Sequence, residues 1–409
     1  MSRSNNESRS WGVVALLFAA FALCYVDRQS AFAIFPVLKR DLKFSDVQLG
    51  LVGSLFGWSY ALSMPLAGRI ADVVRRDRLV VASLVLWSFA ALGTARSGSA
   101  GAFLAWRVVM GLTESLYFPA AIAIIGVLHR GTTRSRALSI HQSAQLVGVV
   151  AGGWYGGWTA EHLGWRNGFS LLWVLGILYA FVLLKGLGRV APRTETARPG
   201  WRRSLRELRQ STLYLALAGA FFCFCAVIWI VYAWLPDFLF ERFRLSLSAS
   251  GLDATLYIQV SCGAGVLLGG WLADRLIFRV RAARLFVVAC GMLLCAPFVV
   301  LAFRASSIAW FRLYALGFGV LAGLAIANIF AAAYDLVQRQ NYGFAAGVLN
   351  MMGGISGGAA MLLVGAYKDR IGISHLVAWT AGAAMLSALV LLGFTRSRFA
   401  AEASSPVLI

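Results

Sequence analysis

Long apolar runs recur along this chain from end to end, separated by short polar turns. A helix rises about 1.5 Å per residue, so about 20 mainly apolar residues cross the hydrocarbon layer of a bilayer. Twelve runs reach that length: 11–36, 48–69, 79–96, 102–127, 138–160, 168–188, 211–240, 250–273, 285–303, 308–333, 343–366 and 374–395. They predict an all-α membrane protein of twelve transmembrane helices. The polar residues 1–10 are expected to lack structure. The first run is not a cleavable signal: it is too long for one and contains Asp27 and Arg28.

The pattern repeats. Gly68-Arg-Ile-Ala-Asp72, followed by Arg75 and Arg76, closes the second run, and Gly270-Trp-Leu-Ala-Asp274-Arg275 closes the eighth. The offset is 202 residues, and Gly50-Leu51 recurs as Gly251-Leu252 at an offset of 201. This predicts two pseudo-symmetric six-helix halves in parallel orientation, residues 1–188 and 211–409, joined by a basic linker at 189–210. In each closing turn the glycine is expected to allow close helix approach, and the aspartate to cap a helix or pair with loop arginines. The linker carries seven arginines against Glu195 and Glu207. Within it Trp201–Gln210 reads as a short helix on the membrane surface, its arginines near anionic headgroups, or as a solvated linker. Gly148, Gly152, Gly153, Gly156 and Gly157 in the fifth run, and Gly353, Gly354, Gly357 and Gly358 in the eleventh, have the spacing of close-packed helix seams.

Composition agrees with a membrane location. Of 409 residues 60% are apolar and 13% charged, with a mean hydropathy of +0.75, against about 25% charged in a soluble protein. The net charge of +20 does not indicate nucleic acid, because the basic residues sit in short loops. With both termini cytoplasmic, the inner segments hold 24 basic residues and the outer loops 10. That bias favours cytoplasmic termini in a bacterial inner membrane. The six cysteines lie inside apolar runs with no CxxC pair, so neither metal site, cofactor nor disulfide framework is indicated, and small core residues are expected.

Four charges interrupt the apolar runs: Asp27 and Arg28 in the first, Arg107 and Glu114 in the fourth. A charge at the bilayer centre costs about 2.5–3.5 kcal/mol on insertion scales, and such residues usually face a bundle interior or a water-filled path. Arg107 and Glu114 stand seven residues apart, about two helical turns, on one face. Guanidinium suits a carboxylate substrate, since it stays charged when buried and offers two parallel hydrogen bonds. A carboxyl beside such an arginine can exchange a proton. The expected cycle protonates Glu114 and Asp27 from outside. That frees Arg28 or Arg107 from internal pairing, the anion binds, and the loaded protein rocks inward. The second half offers Gln259, Asn328 and Asn350 for hydrogen bonding. Each ion pair also has a purely structural reading, and Tyr25 and Tyr60 also read as ordinary bundle aromatics. His141 is expected at the membrane interface and Arg312 to snorkel; Asp253 and Asp335 read as caps or loop partners.

Together these residues resemble the major facilitator superfamily over essentially the whole chain. The first closing turn departs from the family pattern: Asp72-Val-Val-Arg75-Arg76 lacks the second glycine. Within the superfamily the chain looks most like the anion:cation symporters. The likeness rests on Tyr25-Val-Asp27-Arg28, Phe56-x3-Tyr60, Arg107-x3-Gly111-x2-Glu114 with Phe118-Pro119, Gly164-Trp165-Arg166 and Trp234-Leu-Pro236. The resemblance implies proton-coupled uptake of a small organic anion, such as a sugar acid, by a monomer. It implies that Asp27 and Glu114 handle protons with Arg107 in their network. Substrate contacts would come from Arg28, Tyr60 and Gln145, with Tyr25 beside them and Asn350 on the opposite half. The conformational turns would be Gly68, Asp72, Arg76, Gly270, Asp274 and Arg275. Spinster-like lipid transporters are the rival, sharing the aspartate–arginine pair and the arginine and glutamate seven apart. A non-transporting sensor fits less well, because the buried charges are retained. No nucleotide-binding loop or catalytic triad is visible, so an enzyme is not expected.

Overall fold

The computed structural model describes residues 3–129, 132–187, 201–280 and 282–404. The linker residues 189–200 thus lie outside the described residues. The helices, in order, are α1 (Arg3–Ala33), α2 (Phe35–Leu42), α3 (Asp46–Val73), α4 (Arg76–Ala95), α5 (Ala100–Ser115), α6 (Tyr117–Leu128), α7 (Thr132–His162) and α8 (Trp165–Gly186). There follow α9 (Trp201–Gln210), α10 (Thr212–Phe243), α11 (Leu247–Leu276), α12 (Ala283–Ala302), α13 (Ile308–Tyr334), a 3-10 turn at Arg339–Asn341, α14 (Tyr342–Ile371) and α15 (Ile373–Ser404). Among the described residues, eleven helical segments are long and apolar enough to cross a membrane, and eleven of the twelve predicted runs overlap them, some overrunning an end by one to three residues. The remaining run, 138–160, lies inside α7, a continuous helix of 31 residues. Its His141, Gln142, Gln145 and glycines dilute its apolar character. The polar start of the chain, expected to lack structure, is helical from Arg3.

Prolines set the breaks. Pro36 stands at the start of α2, just after the interruption at Ile34. Pro119 has no N–H to give the Ser115 carbonyl, and the fourth run divides there into α5 and α6. In α10 the helix runs through Pro236, and the carbonyl it leaves unpaired, that of Tyr232, accepts a hydrogen bond from Gln29 Nε2 at 3.0 Å.

The repeat is visible in the backbone. Lys43, after α2, and Arg244, after α10, both adopt φ 53°, at the same offset as Gly50 and Gly251. Ser45 and Ser246 follow, each accepting a hydrogen bond from the backbone three residues on. Gly164, between α7 and α8, has φ 82°, and Gly372, between α14 and α15, has φ 84°. Both turns need the left-handed region that glycine enters without strain.

The helices form two compact units: residues 1–196 with 231–256 and 361–366, and residues 197–230 with 257–360 and 367–409. In the first, α1 and α7 pack through the predicted seam. A Cβ on Gly148 would lie 2.5 Å from the Ala22 carbonyl oxygen, one on Gly152 2.7 Å from that of Val26, and one on Gly156 2.6 Å from the α-carbon of Ser30. Gly153 and Gly157 form a second seam on another face of α7, against Gly251 and Leu247. At the Lys39 end of this unit, Lys39 Nζ meets Asp46 at 2.9 Å, Glu241 at 3.1 Å and Asp237 at 3.8 Å. Glu161 accepts from Leu247 N and Ser248 Oγ, both at 2.5 Å. Trp234 Nε1 donates to the Met361 carbonyl at 3.2 Å.

In the second unit Gly353 and Gly357 of α14 pack against Cys225 and Trp229 of α10. Arg284 pairs with both carboxylate oxygens of Asp335, at 2.7 and 2.9 Å, so Asp335 is a loop partner as expected. Arg312 is half-buried with its guanidinium 5.4 Å from the Tyr257 ring centre.

Candidate functional site

All four charges that interrupt the apolar runs of the first half are buried together in the first unit. Asp27 is 2% exposed, Arg28 6%, Arg107 0% and Glu114 1%. Their pairing crosses between helices. Arg28 Nε donates to Glu114 Oε2 at 2.6 Å, and Arg107 lies 3.7 Å from Asp27 Oδ1. Sequence neighbours do not pair: Asp27 and Arg28 point about 100° apart around α1, and Arg107 and Glu114 stand about 10 Å apart along their helix. Each therefore finds its partner on the other helix.

The two pairs differ in quality. Glu114 Oε2 takes a second donor, Cys24 Sγ at 3.1 Å. Arg107 donates weakly from Nε to the Val52 carbonyl at 3.5 Å. Its terminal nitrogens, Asp27 Oδ1 and Glu114 Oε1 make no hydrogen bond among the described residues. The Asp27–Arg107 contact is thus an ion pair outside hydrogen-bond range.

Aromatic rings complete the enclosure. The Arg28 guanidinium carbon lies 4.7 Å from the ring centres of Tyr25, Phe56 and Tyr60. Phe56 also lies 4.9 Å from that of Arg107, so one ring is shared by both cations. Gly111 makes this possible: a Cβ there would sit 2.6 Å from the Phe56 carbonyl oxygen, and only glycine lets α5 approach α3 so closely.

Gln145 is half-buried on α7, while Asn350 stands exposed on α14 in the second unit. Near the end of α3, Arg76 is 3.9 Å from Asp72 and donates to the Ala71 carbonyl at 3.2 Å. In the second copy Arg275 lies over Trp271 at 5.3 Å and Asp274 is exposed. Gly68 and Gly270 were expected to permit close helix contact; a Cβ on either meets nothing within 4 Å, so neither is a packing contact in this structure.

Three further residues were misread or missed. His141 is fully buried and not interfacial; it stacks on Phe21 at 4.7 Å, with Nε2 3.1 Å from the Tyr117 hydroxyl. Its ring covers Phe21 and Nε2 meets Tyr117, while Nδ1 makes no hydrogen bond among the described residues. Tyr117 donates to the Leu17 carbonyl at 2.6 Å, so its oxygen is free to accept from His141. Cys24 is a ligand of Glu114 and not an inert core residue. The signal for it was its place one helical turn before Arg28, on the same face.

The fold and the site identify the class: residues 17–361 match the family model described as Major Facilitator Superfamily, and the chain belongs to that superfamily. Its members are membrane transporters, not enzymes. The chain is 25% identical over 94% of its length to the probable galactarate/D-glucarate transporter of Bacillus subtilis, covering 92% of that protein. It is 22% identical over 93% of its length to a D-galactonate transporter of Escherichia coli, covering 94% of that protein. Among solved structures it matches a bacterial homologue of the human lysosomal transporter Spinster, captured inward-facing and unoccupied. The TM-score is 0.79 with 18% identity, covering 97% of this chain and 96% of that one, a likeness of fold.

Proposed function

We propose that this protein takes up a small organic anion, a sugar acid or similar carboxylate, together with protons, by alternating access. The observation that carries the reading is the state of Arg28. It is buried among three rings, its Nε edge is held by Glu114, and it retains 7% side-chain exposure where Arg107 has none. A carboxylate entering the site meets the two terminal nitrogens end-on, while the Nε contact to Glu114 stays in place. Release of Arg28 by prior protonation, the step expected from sequence, is then not needed for binding. Tyr25 and Tyr60 line the approach, and Gln145 and Asn350 supply hydrogen bonds to substrate hydroxyls.

Asp27 and Glu114 are the proton carriers in this reading. Asp27 can exchange a proton without breaking a hydrogen bond to Arg107; Glu114 must do so against two donors. The closing turns at Gly68, Asp72 and Arg76, and at Gly270, Asp274 and Arg275, act in the conformational change. The sugar-acid transporters among the relatives support the substrate class, and the bias of basic loops supports cytoplasmic termini in an inner membrane. The Lys39 cluster then lies on the outer side. We take the working unit to be a monomer.

The test is uptake into proteoliposomes with an imposed inward proton gradient, across labelled sugar acids, other carboxylates and a lysophospholipid. Accumulation of one acid only with the gradient, with Glu114→Gln leaving a monocarboxylate to exchange without accumulation, is the expected result. Movement of the lysophospholipid and of no acid replaces this reading with lipid transport.

A further inference from the structure

The second unit carries a cationic surface that the transport site does not use. Helix α9 (Trp201–Gln210) is fixed to the unit along one face. Ser204 is 3% and Leu208 2% exposed. Ser204 Oγ donates to Asn341 Oδ1 at 2.7 Å, and Glu207 accepts from Gln338 N at 2.8 Å and from the Asn341 side-chain amide. These partners sit on the turn that opens α14, and a single residue, Ser211, separates α9 from α10. The helix is therefore held across the ends of α10 and α14, two of the helices long and apolar enough to cross a membrane.

At 100° per residue, Ser204, Glu207 and Leu208 fall on one side of α9, and Arg202, Arg203, Arg206 and Arg209 fall within roughly 120° on the other. All four arginines are exposed. Trp201, 58% exposed, stands at the border of the two faces, with Arg202 5.4 Å from its ring. The one acidic residue of α9, Glu207, is engaged on the docked side. An indole at the edge of a cationic helix face, next to a span end, is the arrangement that binds a leaflet surface.

We infer that α9 is a binding surface for anionic phospholipid headgroups, separate from the transport site. Four guanidinium groups offer charge-assisted hydrogen bonds to phosphate oxygens, and Trp201 seats the helix at the glycerol level. A zwitterionic headgroup carries its own cation and is not held in this way. The docked face makes the surface rigid, so the arginines are presented without a folding step on binding.

The experiment uses the full-length protein, delipidated in a neutral detergent and incubated with phosphatidylglycerol or phosphatidylcholine. Lipid retained after gel filtration is counted by mass spectrometry. Phosphatidylglycerol is expected to be retained at least fivefold more than phosphatidylcholine, falling toward parity at high salt. The variant R202Q/R203Q/R206Q/R209Q is expected to retain both equally. These side chains are exposed, so the variant should elute and melt as the native protein does in neutral lipid; should it not, Arg203→Gln with Arg206→Gln is the variant used. Excess glycerol phosphate is expected to displace none of the lipid. Equal retention of phosphatidylglycerol by variant and native protein overturns the inference. Displacement by glycerol phosphate also overturns it, making the surface a site for free phosphate esters.

Discussion

Under the proposed reading Arg28 has two roles, one in holding the first half together and one in holding a substrate, and its replacement separates them. Arg28→Ala leaves Glu114 buried at 1% exposure with only a thiol donor. Removing one partner of a buried pair costs about 3–5 kcal/mol, mostly from the charge left behind. Three cation–ring contacts go as well, each worth about 0.5–2 kcal/mol. The single variant is therefore expected to unfold well below the native protein in a detergent melt. Adding Glu114→Gln removes the orphaned charge, so Arg28→Ala/Glu114→Gln should recover most of the 3–5 kcal/mol. Substrate binding should not recover. Two charge-assisted hydrogen bonds at about 1.5–3 kcal/mol each, with about 1.4 kcal/mol per decade, make the loss about 10²–10⁴ in Kd. Melting curves and equilibrium binding on the same three proteins read both effects. A single variant as stable as native protein refutes the structural half of the reasoning. A double variant that binds normally refutes the anchor.

Further outcomes follow from other contacts. Gly152→Val puts side-chain atoms against the Val26 backbone, which cannot yield without moving α1, the helix of Asp27 and Arg28. About 1–3 kcal/mol of stability and most uptake should be lost together, whereas Gly219→Ala, where a Cβ meets nothing within 4 Å, should change neither. Lys39→Ala removes one cation shared by Asp46, Asp237 and Glu241; the side chain is 28% exposed, so about 1 kcal/mol at most is lost. That should appear as roughly fivefold faster amide exchange near Asp46 and Glu241. Cys24→Ser keeps a donor on Glu114 Oε2 and should retain most uptake, while Cys24→Ala should lose more; equal activity of the two excludes a role for the thiol.

The membrane spans were legible because each is a local property of composition, and the repeat because turn chemistry recurs at a fixed offset. The backbone agrees at Lys43 and Arg244, 201 residues apart, and the same positive-φ glycine turn recurs at Gly164 and Gly372, 208 residues apart. The glycine seam of α7 was legible as spacing, but not its division into one face for α1 and another for α11. Hydropathy understated α7, because a helix packed through glycines and carrying polar residues inward needs few apolar side chains of its own. Sequence located the four buried charges yet left their pairing open, since the choice of partner depends on how α1 is rotated against α5. His141 was misplaced for a related reason: a histidine can be buried wherever a ring and a hydroxyl receive it, and Phe21 and Tyr117 come from distant parts of the chain.

The balance of buried charge ties protons to substrate under the proposed reading. With both arginines and both carboxylates ionised, the four groups sum to zero. A monoanion entering alone leaves the site with a net negative charge, and a proton alone leaves it positive. Either state puts an uncompensated charge inside the membrane, at a cost of several kcal/mol. Both entering together restore neutrality, which favours one proton for each monoanion. A dicarboxylate such as galactarate requires two, and the site has two carboxylates to receive them, Asp27 and Glu114. At a fixed proton gradient and no membrane potential, the accumulation ratio of a dianion should therefore approach the square of that of a monoanion. Replacing Asp27 by asparagine should reduce the dianion ratio to the first power while Glu114 still serves. Equal ratios for the two substrates in the native protein refute charge balance as the source of coupling.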